Sequence, residues 1–423
     1  MTMNNYHENQ CHCTDGCLAN MVIEQNQNAK YEIFTVSEVY GMGRADYNER
    51  VIAEEFDNII PFNSHTGISH VALLKNNSWR LIEITNDRTT IKGKWRWIDG
   101  LSFDSLEEVR IKIKQCSSFN SEEWLRLFSV GSPDREFIRE LRKAIFWETY
   151  NIVENAYITE DRKVAISNNH VTESAVFYDS PSKLSATEIS YNTQFEVVND
   201  DCLVVIKSLN EAGYNPCVLN MASRQNPGGG VLKGSGAQEE NLFRRSNLYV
   251  SMYQFAKYAQ KYGFEKNKYQ YPLNRNTGGI YSPGITVFRS TEAEGYELLK
   301  QPYIVSVVSV AAINAPDTVI ENGELRIANH HEEPTKEKIR TILRIAGLNG
   351  HDSLVLSAFG CGAYRNPPKH VAELFKVVFD EAEFKNRFRQ VTFAIIDDYN
   401  AGKEHNQDGN YLPFKRVFEM KIL

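Results

Sequence analysis

The residues best suited to chemistry lie together in the stretch 220–249, NMASRQNPGGGVLKGSGAQEENLFRRSNLY. Three contiguous glycines, Gly228, Gly229 and Gly230, follow Pro227. A second flexible patch, Gly234-Ser235-Gly236, leads into Gln238-Glu239-Glu240. Glycines let a backbone approach a bulky anion, and their N–H groups can point at it. Two glutamates at a loop-to-helix junction can be aimed at one spot. A phosphate-bearing ligand beside an acid is the chemistry this suits. Taken singly, a glycine run is a turn, and a Glu-Glu pair is a solvated helix start favoured by the helix dipole. The order argues for a site: strand end, glycine loop, paired carboxylates, helix. No Gly-Lys-Ser/Thr closes the loop, so it is not a P-loop, and contiguous glycines are not the spaced dinucleotide fingerprint.

A second group, Cys11, His12, Cys13 and Cys17, puts four thiol or imidazole groups into seven residues. Adjacent ligands do not readily close a tetrahedron, and the spacing is not that of a zinc knuckle, so no metal is expected there. The seven cysteines are odd in number and scattered, which is no disulfide framework. A reducing, cytoplasmic compartment is expected. The first residues lack a basic start and an apolar core, so no secretory signal is read. No apolar run is long enough to span a bilayer. A net charge of −7 argues against nucleic-acid binding through overall charge, leaving a local basic patch open.

At 423 residues two domains are expected. Residues 1–28 read as a polar tail. Residues 29–130 read as a small α+β domain. Its strands are placed at 31–36 and 90–98 and its hairpin at 69–74 and 79–85, across Lys75-Asn76-Asn77-Ser78. Helices are expected at 48–56 and 105–115, the latter with a Ser105/Glu108 capping box. Trp95 and Trp97 fall on one strand face and read as core, with a ligand platform as the alternative. The boundary is placed in 117–133, with a short helix at 121–128. From 131 to 423 the texture is layered α/β. An amphipathic helix spans 134–153, and short strands lie around Val164 and Val176. A strand at 195–198 leads to a helix capped by Asp200 or Asp201 and then to a strand at 217–220. A β-branched run at 303–313 reads as a buried central strand. A helix at 335–346, a strand at 353–357, a helix at 367–381 and a closing strand at 391–396 complete the domain. The strand at 353–357 ends in a second glycine loop, Ala358-Phe359-Gly360-Cys361-Gly362-Ala363-Tyr364. Two glycine loops thus follow two strands, each with a helix behind it. In open α/β sheets the ligand crevice lies at the carboxyl ends of strands, with helix N-termini facing phosphates.

The triple glycine followed by Gln238-Glu239-Glu240 resembles the signature of the poly(ADP-ribose) glycohydrolases, in particular their microbial branch. Asn220-Met221-Ala222-Ser223, Asn226-Pro227, Ile280-Tyr281-Ser282-Pro283-Gly284 with Val287-Phe288-Arg289, and the loop from Ala358 to Tyr364 resemble that family's recurring segments. So does the opening helix around Arg139 and Tyr150. The likeness covers about two thirds of the chain, roughly 135–396. It implies a macrodomain-like three-layer α/β/α fold with a mixed sheet, holding ADP-ribose at the strand ends. By resemblance Glu240 would be the catalytic acid and Glu239 its neighbour orienting the terminal ribose. Gly228, Gly229 and Gly230 would line the diphosphate and distal ribose, with Asn226 as a ribose contact and Gln238 in the ligand-binding set. The loop Gly360, Cys361, Gly362, Ala363, Tyr364 would wrap the diphosphate. The Tyr364 ring would lie over the terminal ribose, where the family often carries Phe.

The implied substrate is poly(ADP-ribose) or an ADP-ribosylated macromolecule, and the product ADP-ribose. Cleaving a ribose–ribose O-glycosidic bond passes through an oxocarbenium-like state, and the poor leaving hydroxyl needs a proton from a carboxylic acid. Adjacent glutamates cannot flank a sugar from opposite faces. One acid/base that then activates water is expected, with no metal or cofactor required. Three readings follow: exo-type trimming of the polymer, removal of single ADP-ribose units from a modified protein or nucleic acid, and ADP-ribose binding without cleavage. Residues 1–130 resemble nothing nameable; target recognition, oligomer formation and a second activity all stay open.

Overall fold

The structure is a computed structural model. It describes residues 17–25, 32–40, 58–62, 68–75, 78–85, 94–103, 121–131, 135–155, 157–158, 163–166, 168–185, 190–257, 259, 269–397 and 401–419. Cys11, His12 and Cys13, and the helices expected at 48–56 and 105–115, lie outside them. The chain forms two compact units, Met1–Glu148 and Thr149–Leu423.

In the first unit, β1 (Cys17–Gln25) pairs antiparallel with β2 (Glu32–Tyr40). Residues 17–25 were expected within the polar tail, and the structure corrects that. Val22 and Ile23 there stand opposite Thr35 and Phe34, and β-branched residues suit a pleated strand. A four-stranded antiparallel sheet follows, in the order β3 (Asn58–Phe62), β4 (Ile68–Lys75), β5 (Ser78–Thr85), β6 (Lys94–Phe103). Lys75 pairs with Ser78 across Asn76-Asn77, as the sequence predicts. Helix α1 (Ser121–Gly131) follows, and its buried Trp124 donates Nε1–H to the Leu141 carbonyl at 3.2 Å. The division between the units falls within α2 (Arg135–Asn155), downstream of the boundary expected at 117–133.

The second unit is built on a seven-stranded mixed sheet. After β7 (Tyr157–Ile158), β8 (Lys163–Val164) and α3 (Asn169–Ser174) come β9 (Val176–Tyr178), β10 (Gln194–Val198), α4 (Cys202–Glu211) and β11 (Pro216–Met221). Helices α5 (Gln238–Arg245) and α6 (Leu248–Tyr253) precede two long strands, β12 (Gly279–Arg289) and β13 (Leu298–Val310). The small hairpin β14 (Thr318–Glu321) and β15 (Glu324–Ile327) leads to α7 (Asn329–Leu348). Then come β16 (Ser353–Leu356), α8 (Pro368–Phe379), β17 (Gln390–Ala394) and α9 (Tyr411–Phe418). The sheet order is β10-β17-β16-β11-β13-β12-β9. The first five strands run parallel, while β12 is antiparallel to both its neighbours. The strand expected to close the domain, β17, sits second from one edge. The sequence marks β12 only by family resemblance, because Ser282-Pro283-Gly284 interrupts its apolar run; the structure carries the strand through with a register shift.

The pleat separates two faces. Cys217, Leu219, Val308, Val310, Leu354, Leu356 and Phe393 join the apolar layer beneath α7, α8 and α9. On the opposite face Asn220 donates to Ser309 Oγ at 3.0 Å and lies 3.6 Å from Met252 Sδ in α6. Of the two candidate caps of α4, Asp201 serves: its Oδ1 accepts from the Leu203 and Val204 amides at 2.9 and 3.2 Å. Its other oxygen pairs with the buried Arg245 at 2.8 Å, which ties α5 to α4.

Candidate active site

The loop after β11 and the first turn of α5 build the centre. Gln238 fixes them to the strand. Its Oε1 accepts from the Met221 amide at 2.8 Å, and its Nε2 donates to the Leu219 carbonyl at 2.7 Å. These groups extend the strand's hydrogen bonding by one side chain. The Gln238 carboxamide, expected among ligand contacts, is therefore occupied by the protein's own backbone. With α5 pinned there, Glu239 and Glu240 point back under the glycine loop, 3 % and 7 % exposed.

The two glutamates are held differently. Both oxygens of Glu239 accept backbone N–H bonds, Oε2 from Ser223 at 2.7 Å and Oε1 from Gly228 at 3.0 Å. Glu240 Oε1 accepts from the Gly230 amide at 2.8 Å, while its Oε2 is buried and has no hydrogen-bond partner among the described residues. The Glu239 carboxyl is pushed well above the usual carboxylate range. Burial is the main cause and the neighbouring Glu240 charge adds to it; hydrogen bonds from Ser223, Gly228 and Asn220 oppose it.

All three glycine N–H groups are taken. Gly228 serves Glu239, Gly230 serves Glu240, and the Gly229 amide donates to the Asn226 carbonyl at 3.1 Å. The amides of Gly228 and Gly230 thus mount the carboxylates, and that of Gly229 closes the loop on itself. Close approach explains the glycine requirement. A Cβ on Gly229, whose φ is +56°, would stand 2.6 Å from Glu240 Oε1 and 2.9 Å from Glu239 Oε2. Asn226 is exposed at the rim, its amide 3.3 Å from Ser223 Oγ.

The second glycine loop follows β16, the strand next to β11. Gly360, at φ +77°, has its α-carbon against Ala312 and Asn366, leaving no room for a side chain. Asn366 ties the loop by donating Nδ2 to the carbonyls of Ile313, Gly360 and Tyr364 at 2.8–3.1 Å. Cys361 is fully buried, and burial pushes its thiol well up. Its N–H bonds Ala358 and its carbonyl accepts from His405 at 2.8 Å, so it belongs to the scaffold. The next three amides, of Gly362, Ala363 and Tyr364, have no acceptor among the described residues. Consecutive free amides are what an oxyanion takes.

Tyr364 joins the two loops. Its hydroxyl bonds the Ser223 side chain and the Arg224 backbone, and burial pushes the phenol up, with Glu239 and Glu240 adding. The sequence gives no sign of Tyr271. It is 3 % exposed, its hydroxyl has no partner among the described residues, and its phenol is raised by burial and by the charges of Glu239 and Tyr364. It stands in an aperiodic segment where no local pattern marks it. Among the described residues one group has metal-ligand geometry, Asp317, His330 and His331. It is mostly exposed, at the start of α7, where the helix dipole disfavours a cation.

Residues 147–290 match the family described as microbial-type PARG, catalytic domain. That segment contains the triple glycine, both glutamates and β12; the Gly360–Tyr364 loop lies beyond it. Among solved structures the chain is similar to the poly(ADP-ribose) glycohydrolase of Thermomonospora curvata, at 32% identity and TM-score 0.54, covering 66% of this chain and 99% of that one. The chain belongs to the poly(ADP-ribose) glycohydrolases. The same enzyme bound to the inhibitor ADP-HPD matches at 30% identity and TM-score 0.51, with the same coverage. The glycohydrolase of Deinococcus radiodurans in complex with ADP-ribose matches at 25% identity and TM-score 0.44, covering 60% of this chain and 99% of that one. No curated protein sequence matches. The likeness to the Thermomonospora curvata enzyme thus spans 99% of that protein and leaves about a third of this chain outside it.

Proposed function

We propose that the two loops hold the terminal ADP-ribose of poly(ADP-ribose) and that Glu240 drives exo-type hydrolysis of the ribose–ribose bond. The observation that carries this is the unequal holding of the two carboxyls. Both Glu239 oxygens are anchored, whereas Glu240 keeps one oxygen unpartnered in a buried position. Glu240 therefore protonates the leaving ribose oxygen as the C–O bond breaks with its electron pair on that oxygen. Water then adds to the oxocarbenium-like carbon and returns a proton to Glu240. Glu239 positions the ribose through its remaining lone pairs. The Gly362–Tyr364 amides receive the diphosphate, and the Tyr364 ring covers the terminal ribose.

Parallel central strands carrying ligand loops at their carboxyl ends support a macrodomain-type sheet. The free, buried Cys202, Cys217 and Cys361 support a reducing, cytoplasmic setting. No helix among the described residues is long and apolar enough to cross a membrane. The third of the chain outside the matched region favours a second reading, removal of single ADP-ribose units from a target that this region recognises.

The test is chromatography of products after incubation with poly(ADP-ribose) and, in parallel, with mono-ADP-ribosylated protein. Wild type releases ADP-ribose from polymer, and Glu240→Gln does so roughly 10²–10⁴-fold more slowly. Equal rates for the two proteins would sink the role of Glu240. Release from the mono-modified target alone would establish the second reading, and binding without any turnover a reader.

A further inference from the structure

Beside this site the charges of Arg224 and Arg275 act on Lys338, and none of the three has an ion-pair partner among the described residues. Arg224 follows Ser223, whose amide holds Glu239. Its Nη1 donates to the Leu273 carbonyl at 3.0 Å, and the Leu273 amide bonds back to the Arg224 carbonyl at 3.0 Å. That clasp brings the segment from Tyr271, next to Glu239, out to the exposed Arg275. Lys338 of α7 is only 2 % exposed, and the charges acting on it are those of Arg224 and Arg275. Its pKa is lowered to about 8, first by burial and then by these two guanidinium groups.

The acids of α7 are paired elsewhere. On α7, Glu332 faces His370, Glu333 pairs with Lys336 and Arg340, and Glu337 with Arg340 and Arg344. Asp179, near the Arg275 turn, accepts from Asn274 at 3.2 Å. Burying an ammonium among like charges is unfavourable unless an anion compensates it.

The sheet order places this cluster. The amides of Gly362–Tyr364 follow β16, on one side of β11. Helix α7 packs on β13 and β12, on the other side. The glutamates lie between, on the β11 loop. A polymer cut at the glutamates has a diphosphate on each side of the scissile bond. We propose that Arg224, Arg275 and Lys338 form a second anion site, which holds the diphosphate of the ADP-ribose unit on the leaving side of the bond. This rests on the polymer-cleaving reading above. It also explains how a protein of net charge −7 engages a polyanion, since a local positive field suffices.

The test is equilibrium binding of ADP-ribose and of the ribose-linked ADP-ribose dimer, in a Glu240→Gln background that spares the dimer. Arg275→Gln and Lys338→Met are then added separately. Each should reduce the dimer's affinity advantage about tenfold, the worth of one charge-assisted hydrogen bond, with monomer affinity unchanged. The dimer's salt slope should fall by about 0.7 for each phosphate charge no longer neutralised. Equal weakening of monomer and dimer would assign the cluster to the released unit and overturn the proposal, as would no change in either. Failure of the parent protein to bind both probes removes the polymer reading and this site with it. Monomer binding without any dimer advantage removes this site alone.

Discussion

A methyl group on the α-carbon of Gly229 would strike the carboxyls of both adjacent glutamates, 2.6 Å from Glu240 and 2.9 Å from Glu239. The glycine run and the glutamates are thus one device. The amides of Gly228 and Gly230 hold the acids, and the missing side chain of Gly229 makes room for them.

Gly229→Ala therefore acts on rate. Displacing Glu240 by about an ångström should lower kcat roughly 10²-fold. The positive φ should also destabilise the fold by about 1–2 kcal/mol. Steady-state kinetics and thermal melts measure the two separately. An alanine variant with wild-type kcat would show that the carboxyls have slack.

Gln238→Ala tests whether this side chain serves the scaffold or the ligand. Removing it leaves the Met221 amide and the Leu219 carbonyl unpaired, at about 1–3 kcal/mol. A lower melting temperature with ADP-ribose affinity unchanged, measured by calorimetry, is expected. Lost affinity in a protein of undiminished stability would return Gln238 to the ligand-binding set.

Tyr364→Phe removes the hydroxyl that bridges to Ser223 and Arg224 but keeps the ring. A stability loss of about 1 kcal/mol is expected, with kcat within a few-fold of wild type. Tyr364→Ala removes the ring as well and should raise KM much further. Equal effects from the two would mean that the hydroxyl, not the ring, carries the role.

Lys338 gives a pH signature. Its pKa falls from 10.5 when unfolded to about 8 when folded. The unfolded chain thus binds the proton more tightly, and stability is lost as pH falls from 10.5 through 8. Lys338→Met does not carry this penalty. It should exceed wild type in stability at pH 7, by at most about 3 kcal/mol, and converge with it near pH 10.5. Denaturant titrations at the two pH values read this. A variant less stable than wild type at pH 7 would mean that the ammonium is compensated within the protein.

Most of the second unit was legible where a strand or helix carries one clear period, whereas β12, broken by Ser282-Pro283-Gly284, the short hairpin β14–β15 and α9 were not. The run at 303–313 reads as buried strand in any context, and an Asp200-Asp201 pair stands where a cap must, though only the structure chooses Asp201. The glutamates were legible as an acid pair because a glycine loop precedes them. The direction of the glycine amides was not legible, since a loop's N–H groups choose between ligand and side chain only in three dimensions. Tyr271 and the Arg224–Arg275–Lys338 cluster join segments far apart in the chain, and no local pattern carries that. Strand β1 was hidden by the polar residues around it, and its partner β2 is what makes it a strand.

The anchoring of the carboxyls supplies three internal reporters. The amides of Ser223 and Gly228 donate to Glu239 and that of Gly230 to Glu240. Each proton's resonance frequency therefore follows the ionisation of one identified glutamate. A titration followed at these backbone positions resolves which of two adjacent acids holds the proton, without altering either of them.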